Sequence, residues 1–228
     1  MGRETEIKLR IADTRALLRR LKKLGARLVG GGTGRVHQDN VIFDTPQGGL
    51  AKHGQLLRIR TETPESNHRN KAPENSKRFL LTFKRPLAKA PIANPEALPG
   101  VRHKVREELE LTIGDAGTLS TIFEGLGMSG WFRYEKYRTT FQLPASQKWA
   151  RGLLIELDET PIGTFVELEG PAEAIDRAAA ELGFSKRDYI LKNYLVLYME
   201  ECRKRGEEPR QMIFSEPRKR SKPSRRKK

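Results

Sequence analysis

The sequence predicts an α+β protein: antiparallel strands, each with a charged and an apolar face, rolled into a barrel whose charges point inward and whose outside is covered by amphipathic helices. Three observations lead there. Nearly every extended segment alternates charged with apolar residues at the two-residue period of a strand. The charges are dense, 32% of 228 residues against 36% hydrophobic, and the charged faces hold few of the filler types Ser, Thr or Gln. Several helices are strongly amphipathic and need an apolar sheet surface to bury against. A sheet with its charged side in water fits the first observation alone. The third favours the barrel, because the apolar strand faces receive the helices and leave the charged faces to line a cavity.

Taken in order, Glu4-Thr5-Glu6-Ile7-Lys8 opens a strand with Glu4, Glu6, Lys8 and Arg10 on one face and Thr5, Ile7, Leu9 and Ile11 on the other. Asp13 or Thr14 caps a helix whose Leu17, Leu18, Leu21 and Leu24 form one stripe, closed by Gly25. Arg27 to Val29 reads as a second strand, interrupted by Gly30-Gly31-Gly32. No Gly-Lys-Ser/Thr follows those glycines, which excludes a Walker A loop. His37 to Asp44 is extended, and Thr45 to Gly49 is a turn. Leu56 to Arg60 returns as a strand with Arg58 and Arg60 on one face; Thr63 to Lys77 reads as a long hairpin loop. Phe79 to Arg85 alternates again, and a Pro-rich connection runs from Pro86 to Gly100. His103 to Ile113 is the clearest strand, with Lys104, Arg106, Glu108 and Glu110 opposite Val105, Leu109, Leu111 and Ile113.

A helix is expected from Ala116 to Leu126, then a strand from Trp131 to Leu143 in which Tyr134, Lys136 and Arg138 share a side. In the next two strands Glu156 and Asp158 oppose Leu153, Ile155 and Leu157, and Glu167 and Glu169 oppose Val166 and Leu168. Pro171 starts a helix that ends at Leu182 before Gly183. Ser185 with Asp188 reads as a capping box for the last helix, with Ile190, Leu191, Tyr194, Leu195 and Tyr198 facing the core and Lys192 off that stripe.

The net charge of +15 is unevenly placed: from Arg203 onward, 12 Lys/Arg stand against Glu207, Glu208 and Glu216, which is +9 and leaves +6 for residues 1–202. The division expected is a folded domain over 1–204 and a basic, disordered tail over 205–228, the tail offering a weak, non-specific contact for polyanions. No apolar run approaches the roughly 20 residues that cross a bilayer, and the chain opens directly into charged strand, so no membrane span or secretion signal is read and a cytoplasmic setting is expected. Cys202 is the single cysteine, which excludes an internal disulfide, and the four His residues show no metal-ligand spacing.

Burying the charged faces in a dry interior would cost several kcal/mol per unpaired ion, so the cavity must be wet and hold a compensating ligand. Carboxylates gather at both ends of the strand order (Glu4, Glu6, Asp158, Glu167, Glu169), while the middle strands are rich in Lys and Arg. Hard oxygens suit Mg²⁺ or Mn²⁺, clustered cations suit phosphate, and a metal-bound polyphosphate satisfies both.

Glu4-x-Glu6-x-Lys8 resembles the ExExK signature of the CYTH superfamily, the triphosphate tunnel metalloenzymes. Phe43-Asp44-Thr45-Pro46, Leu57-Arg58-Ile59-Arg60, Leu81-Thr82-Phe83-Lys84, Arg106-Glu107-Glu108, Lys136-Tyr137-Arg138, Asp158, Gly163 and Phe165-Val166-Glu167-Leu168-Glu169 follow in the family's order, so the resemblance runs from Glu4 to about Tyr198. Ile42 and Asn193 depart from it, the second at the neighbour of Lys192. The resemblance implies an eight-stranded antiparallel tunnel and metal-dependent hydrolysis of a triphosphate-containing small molecule. It further implies one or two Mg²⁺ or Mn²⁺ ions held by Glu4, Glu6, Glu108, Asp158, Glu167 and Glu169, and phosphate held by Lys8, Arg58, Arg60, Lys84, Arg106, Lys136, Arg138 and Lys192. Glu4, Glu6 or Glu169 would act as base and Lys8 at the reacting phosphate; a homodimer is compatible with the family. Two alternatives stand beside hydrolysis: a class IV type adenylyl cyclase making cyclic AMP, and a non-catalytic polyphosphate-binding module.

Overall fold

The computed structural model describes residues 2–30, 34–65, 77–87 and 103–215. Eight antiparallel strands close on themselves: β1 (Gly2–Ile11), β3 (Arg35–Asp44), β4 (Leu56–Pro64), β5 (Arg78–Pro86), β6 (Lys104–Ile113), β7 (Ser129–Gln142), β8 (Leu154–Thr160) and β9 (Gly163–Glu169). The order around the barrel is β7-β3-β4-β5-β6-β1-β9-β8, with β8 pairing back onto β7, and the two-residue β2 (Arg27–Leu28) hangs on β7 outside the ring. Closure removes sheet edges, and the period of two then sends alternate residues to the inside. Register brings Glu6 opposite Lys104 on β6 and Glu169 on β9, Lys8 opposite Glu167, and Arg138 opposite Asp158.

Helices cover much of the outside. α1 (Thr14–Lys23) is capped by Asp13, which accepts from the Ala16 amide at 2.9 Å, and α4 (Ala172–Glu181) follows Pro171. Leu17 and Leu21 of α1 and Ile175, Ala178 and Ala179 of α4 pack against Ile7 and Leu9 of β1, Ile155 and Leu157 of β8, and Val166 and Leu168 of β9. Each fully buried aliphatic side chain contributes about 1.5–3 kcal/mol, so this face anchors the strands that carry the acidic interior. α3 (Ala116–Gly125) places Phe123 on Phe43 and Ile59. Over β6 the cover is incomplete: Leu109 and Leu111 are 38% and 54% exposed.

Several details differ from the sequence reading. The Ser185–Asp188 capping box forms, but it closes a 3-10 turn at Lys186–Asp188. α5 starts only at Tyr194 and ends at Arg205, with the Asn193 side chain accepting from the Val196 amide at 2.9 Å. Ile190 is in no helix: its backbone pairs with Lys8 through bonds of 2.9 and 3.0 Å, filling the edge of β1 beyond its pairing with β6. A short α2 (Gly49–Lys52) follows the turn at Thr45, organised by Asp44 oxygens that accept from the amides of Thr45, Leu50 and Ala51.

The chain past Arg205 also returns to the barrel. The Met212 amide donates to Arg133 and its carbonyl accepts from Glu135, with Met212 wholly buried beside Tyr134, so the packed unit reaches beyond the limit expected at residue 204. Gly31 and Gly32, most of the long loops expected over 63–77 and 86–100, and the last part of the basic tail, 216–228, lie outside the described residues.

Candidate functional site

The barrel encloses a cavity of about 400 Å³ whose lining counts nine Lys/Arg and seven Glu side chains. The charges are sorted. Arg58 and Arg60 from β4 and Lys136 and Arg138 from β7 form a cationic side, joined by Tyr134. Glu4 from β1, Glu108 and Glu110 from β6, Glu156 from β8 and Glu169 from β9 form an acidic side. Lys8, Lys84 and Lys104 stand among the acids, and Asn193, Tyr194 and Leu195 line the cavity from the start of α5.

On the cationic side, Arg58 is buried without a carboxylate at ion-pair distance among the described residues. It donates to the Tyr134 hydroxyl and to Thr82 Oγ1, each at 3.0 Å, and its Nε finds no partner. Arg60 Nε donates to Asn40 at 2.9 Å. Burial and the neighbouring Arg58 and Arg138 push the Arg60 guanidinium below its usual range, and burial with Arg138 lowers Lys136. Burial alone would raise the Tyr134 phenol, but Arg58, Arg60 and Lys136 outweigh it and bring it down to about 8. The other cations of this side have acids to hand: Arg60 lies 3.6 Å from Glu62, Lys136 meets Asp158, and Arg138 is held charged by Asp158, Glu156 and Glu167, which leaves Arg58 as the member without one at ion-pair distance among the described residues.

On the acidic side, Glu169 receives no hydrogen bond or ion pair from any described residue. Burial first, then the facing carboxylates of Glu156, Glu4 and Glu108, push its carboxyl up to about 8. Its neighbours are partnered: Glu4 meets Lys84 at 2.5 Å, and Glu108 meets the same ammonium at 3.2 Å. Glu6 pairs with Lys104 and, at 3.5 Å, with Lys8; burial would raise its carboxyl, but those two ammonium groups lower it overall. Lys104 nevertheless ends at about 8, because burial, Lys8 and Arg106 together outweigh the attraction of Glu6. Lys8 lies 3.1 Å from Glu167, and the two acids hold it charged against burial.

The structure gathers most of the sequence-derived site around one cavity: Glu4, Glu6, Lys8, Arg58, Arg60, Lys84, Arg106, Glu108, Lys136, Arg138, Glu167 and Glu169 all line it. Asp158 does not. It is fully buried behind the wall, where Lys136, Nε and Nη2 of Arg138 and the Tyr194 hydroxyl each donate to its oxygens at 2.7 Å, so both oxygens are committed. Lys192 precedes α5, and its ammonium meets Glu200 at 2.9 Å outside the lining. Glu167 is likewise closed by Lys8, Lys136 and Arg138. The site also holds residues not singled out from sequence: Lys104, Tyr134 and Tyr194. Strand alternation carried the first two, since Lys104 shares parity with Arg106 and Tyr134 with Lys136. Nothing local marked Tyr194, whose ring lies 5.3 Å from the Lys8 ammonium and 5.0 Å from that of Lys136.

Among the described residues no three acidic, His or Cys side chains form a ready-made metal cluster. The donor chemistry still fits a hard divalent cation. Glu4, Glu108 and Glu169 line the same cavity and offer hard carboxylate oxygens, Glu156 there being taken by Arg138, and Glu169 has no cation at ion-pair distance among the described residues.

A closed antiparallel barrel with opposed cationic and acidic walls defines a tunnel protein built around a charged ligand. Residues 2–194 match the CYTH domain, and the chain belongs to the CYTH family. A Methanocaldococcus jannaschii protein, provisionally named an adenylate cyclase, is 27% identical over 198 residues, covering 85% of this chain and 97% of that protein. The structure of a Vibrio parahaemolyticus protein with the same provisional name superposes with a TM-score of 0.62 at 18% identity, over 84% of this chain and 94% of that one. A Hippeastrum protein described by its structure's authors as having a dominant triphosphatase activity gives 0.50 at 20% identity, over 90% and 97%. At these identities the two structures speak to the fold.

Proposed function

We propose that the protein is a divalent-metal-dependent triphosphatase that hydrolyses inorganic tripolyphosphate or an organic triphosphate within the barrel. The observation that carries this reading is a pair of groups left without an opposite charge at ion-pair distance among the described residues: the buried guanidinium of Arg58 and the carboxyl of Glu169, both lining one cavity. A triphosphate with its cation supplies the missing charge to both at once.

In this reading Arg58, Arg60, Lys136 and Arg138 bind phosphoryl oxygens, the planar guanidinium groups two oxygens at a time. Lys8 and Lys84, each already held charged by Glu partners, neutralise oxygens nearer the acidic wall. Glu4, Glu6, Glu108 and Glu169 are the side chains that would hold Mg²⁺ or Mn²⁺, an ion whose chemistry there is to offset charge on the phosphates and acidify a water. Phosphoryl transfer asks little covalent work of protein groups, so positioning and charge carry the catalysis. Glu4, Glu6 or Glu169, as a carboxylate kept ionised by the bound cation, would take the proton of the attacking water. Asp158 keeps Lys136 and Arg138 aimed and does not touch substrate.

The name of the Methanocaldococcus relative favours a second reading, an adenylyl cyclase, in which a ribose hydroxyl attacks the α-phosphorus. Products separate the two. Purified protein with Mg²⁺ or Mn²⁺ is offered tripolyphosphate, ATP and thiamine triphosphate, and phosphate, pyrophosphate and cyclic AMP are measured separately. Phosphate release from at least one substrate is expected. Cyclic AMP with stoichiometric pyrophosphate from ATP would establish the cyclase in its place, and tight polyphosphate binding without turnover would establish a binding module.

A further inference from the structure

The excess positive charge of residues 1–202 falls in one stretch of the sequence, most of it on α1. Residues 14–38 hold seven Lys/Arg and no Asp or Glu, while residues 1–202 as a whole carry +6, so everything else in that stretch sums to −1. Five of the seven, Arg15, Arg19, Arg20, Lys22 and Lys23, fall on α1, and all five are exposed.

Ordinary solvation does not account for this pattern. A surface helix normally interleaves acids at i+3 and i+4, whereas here Arg15–Arg19 and Arg19–Lys23 are like-charged pairs one turn apart, an arrangement that disfavours the helix. Basic residues in a last turn complement the helix dipole, which explains Lys22 and Lys23. Arg15 stands in the first turn, where the same dipole opposes it. Among the described residues the row's ion pair is with the Asp13 cap, 4.0 Å from Arg19 with both side chains mostly in solvent, a contact of little strength. Arg20 is engaged elsewhere, donating to the Leu182 carbonyl at the end of α4.

The row is also separate from the tunnel. Leu17 and Leu21 seat α1 on the outer side chains of β1, β8 and β9, while Glu4, Glu6 and Lys8 of the same β1 face the cavity. A chain lying along α1 is therefore not led into the site. The ten-residue helix is about 15 Å long, which spans roughly four phosphates of one nucleic-acid strand. It offers exposed cations and no aromatic ring among its residues, so it reads phosphate charge and not bases.

From these observations we infer that the outer face of α1 (Arg15, Arg19, Lys22, Lys23) is a docking surface for the phosphodiester backbone of a nucleic-acid duplex, bound without sequence preference and independently of the tunnel chemistry. The test is fluorescence anisotropy of a short labelled mixed-sequence duplex with the full chain across a salt series. It compares wild type with a variant carrying Arg15→Gln, Arg19→Gln, Lys22→Gln and Lys23→Gln, and with a second variant carrying Arg19→Glu and Lys23→Glu. Wild type is expected to bind with a steep log–log salt dependence. The quadruple variant should lose more than tenfold in affinity at moderate salt and flatten the slope by about 3 to 4, with melting temperature and small-triphosphate turnover unchanged. The double variant should lose affinity in the same direction. Affinity and slope unchanged in both folded variants would overturn the inference, placing all polyanion binding elsewhere. So would variants that keep the duplex but lose long-chain polyphosphate, which would make α1 a polyphosphate site.

Discussion

Glu169 and Arg58 define the site at the scale of single residues, because each carries chemistry its surroundings leave unfinished. Glu169 holds its proton to about pH 8 in the folded protein, against roughly 4.3 in an unfolded chain. Between those values the folded state binds more protons than the unfolded one, so stability falls as pH rises from about 4.5 through 8. Glu169→Gln removes that dependence: in metal-free buffer its melting temperature should match wild type near pH 5 and exceed it by several degrees at pH 9. A constant gap across that range would mean that the carboxyl is ionised throughout. For Arg58 the informative change is to Lys, which keeps the charge and loses the planar fork. Arg58→Lys should raise the KM for tripolyphosphate about tenfold or more with the fold intact. Parity in a strand made Arg58 and Glu169 visible in sequence. The commitment of Asp158 was not visible, because it depends on Lys136, Arg138 and the Tyr194 hydroxyl converging on one carboxylate.

At the scale of elements, regular alternation made the strands legible. Glu4 to Lys8, Arg58 to Arg60 and Glu167 to Glu169 each placed their side chains correctly, since a one-residue slip would turn an apolar face into the cavity. The start of α5 was not legible. Ile190 and Leu191 have helical spacing, but Ile190 is taken by backbone pairing to Lys8, a long-range bond with no local signature. The turn after β9 depends on backbone that only glycine supplies. Gly170 has φ of +147°, and a Cβ there would come 2.5 Å from the Gly152 carbonyl oxygen. Gly170→Ala should therefore cost about 1–3 kcal/mol in denaturant unfolding and, by displacing the adjacent Glu169, lower kcat more than it raises KM. Unchanged stability would show that the turn relaxes freely.

At the scale of the whole molecule, pairing of β8 with β7 closes the barrel, and the C-terminal segment packs onto it in a way composition did not announce. Beyond β8's pairing, the edge of β7 at Arg133 to Glu135 is taken by Met212, which shares a buried cluster with Phe132, Tyr134, Phe165 and Tyr194, the two tyrosines lining the cavity. Removing residues 216–228 should leave melting temperature and small-substrate turnover unchanged. Removing residues 206–228 should destabilise by about 2–5 kcal/mol, the range for emptying a buried Met site, and impair the tunnel through Tyr134. Equal behaviour of the two truncations would show that the segment merely rests on the barrel. The central claim is that the two walls hold a triphosphate and its cation together. Calorimetric titration of a non-hydrolysable imido analogue of tripolyphosphate into wild type and Arg58→Ala, with and without Mg²⁺, tests it. Wild type should bind at least tenfold tighter with Mg²⁺, and Arg58→Ala should lose most of that affinity. Equal affinity in the two proteins, or binding indifferent to Mg²⁺, would contradict it.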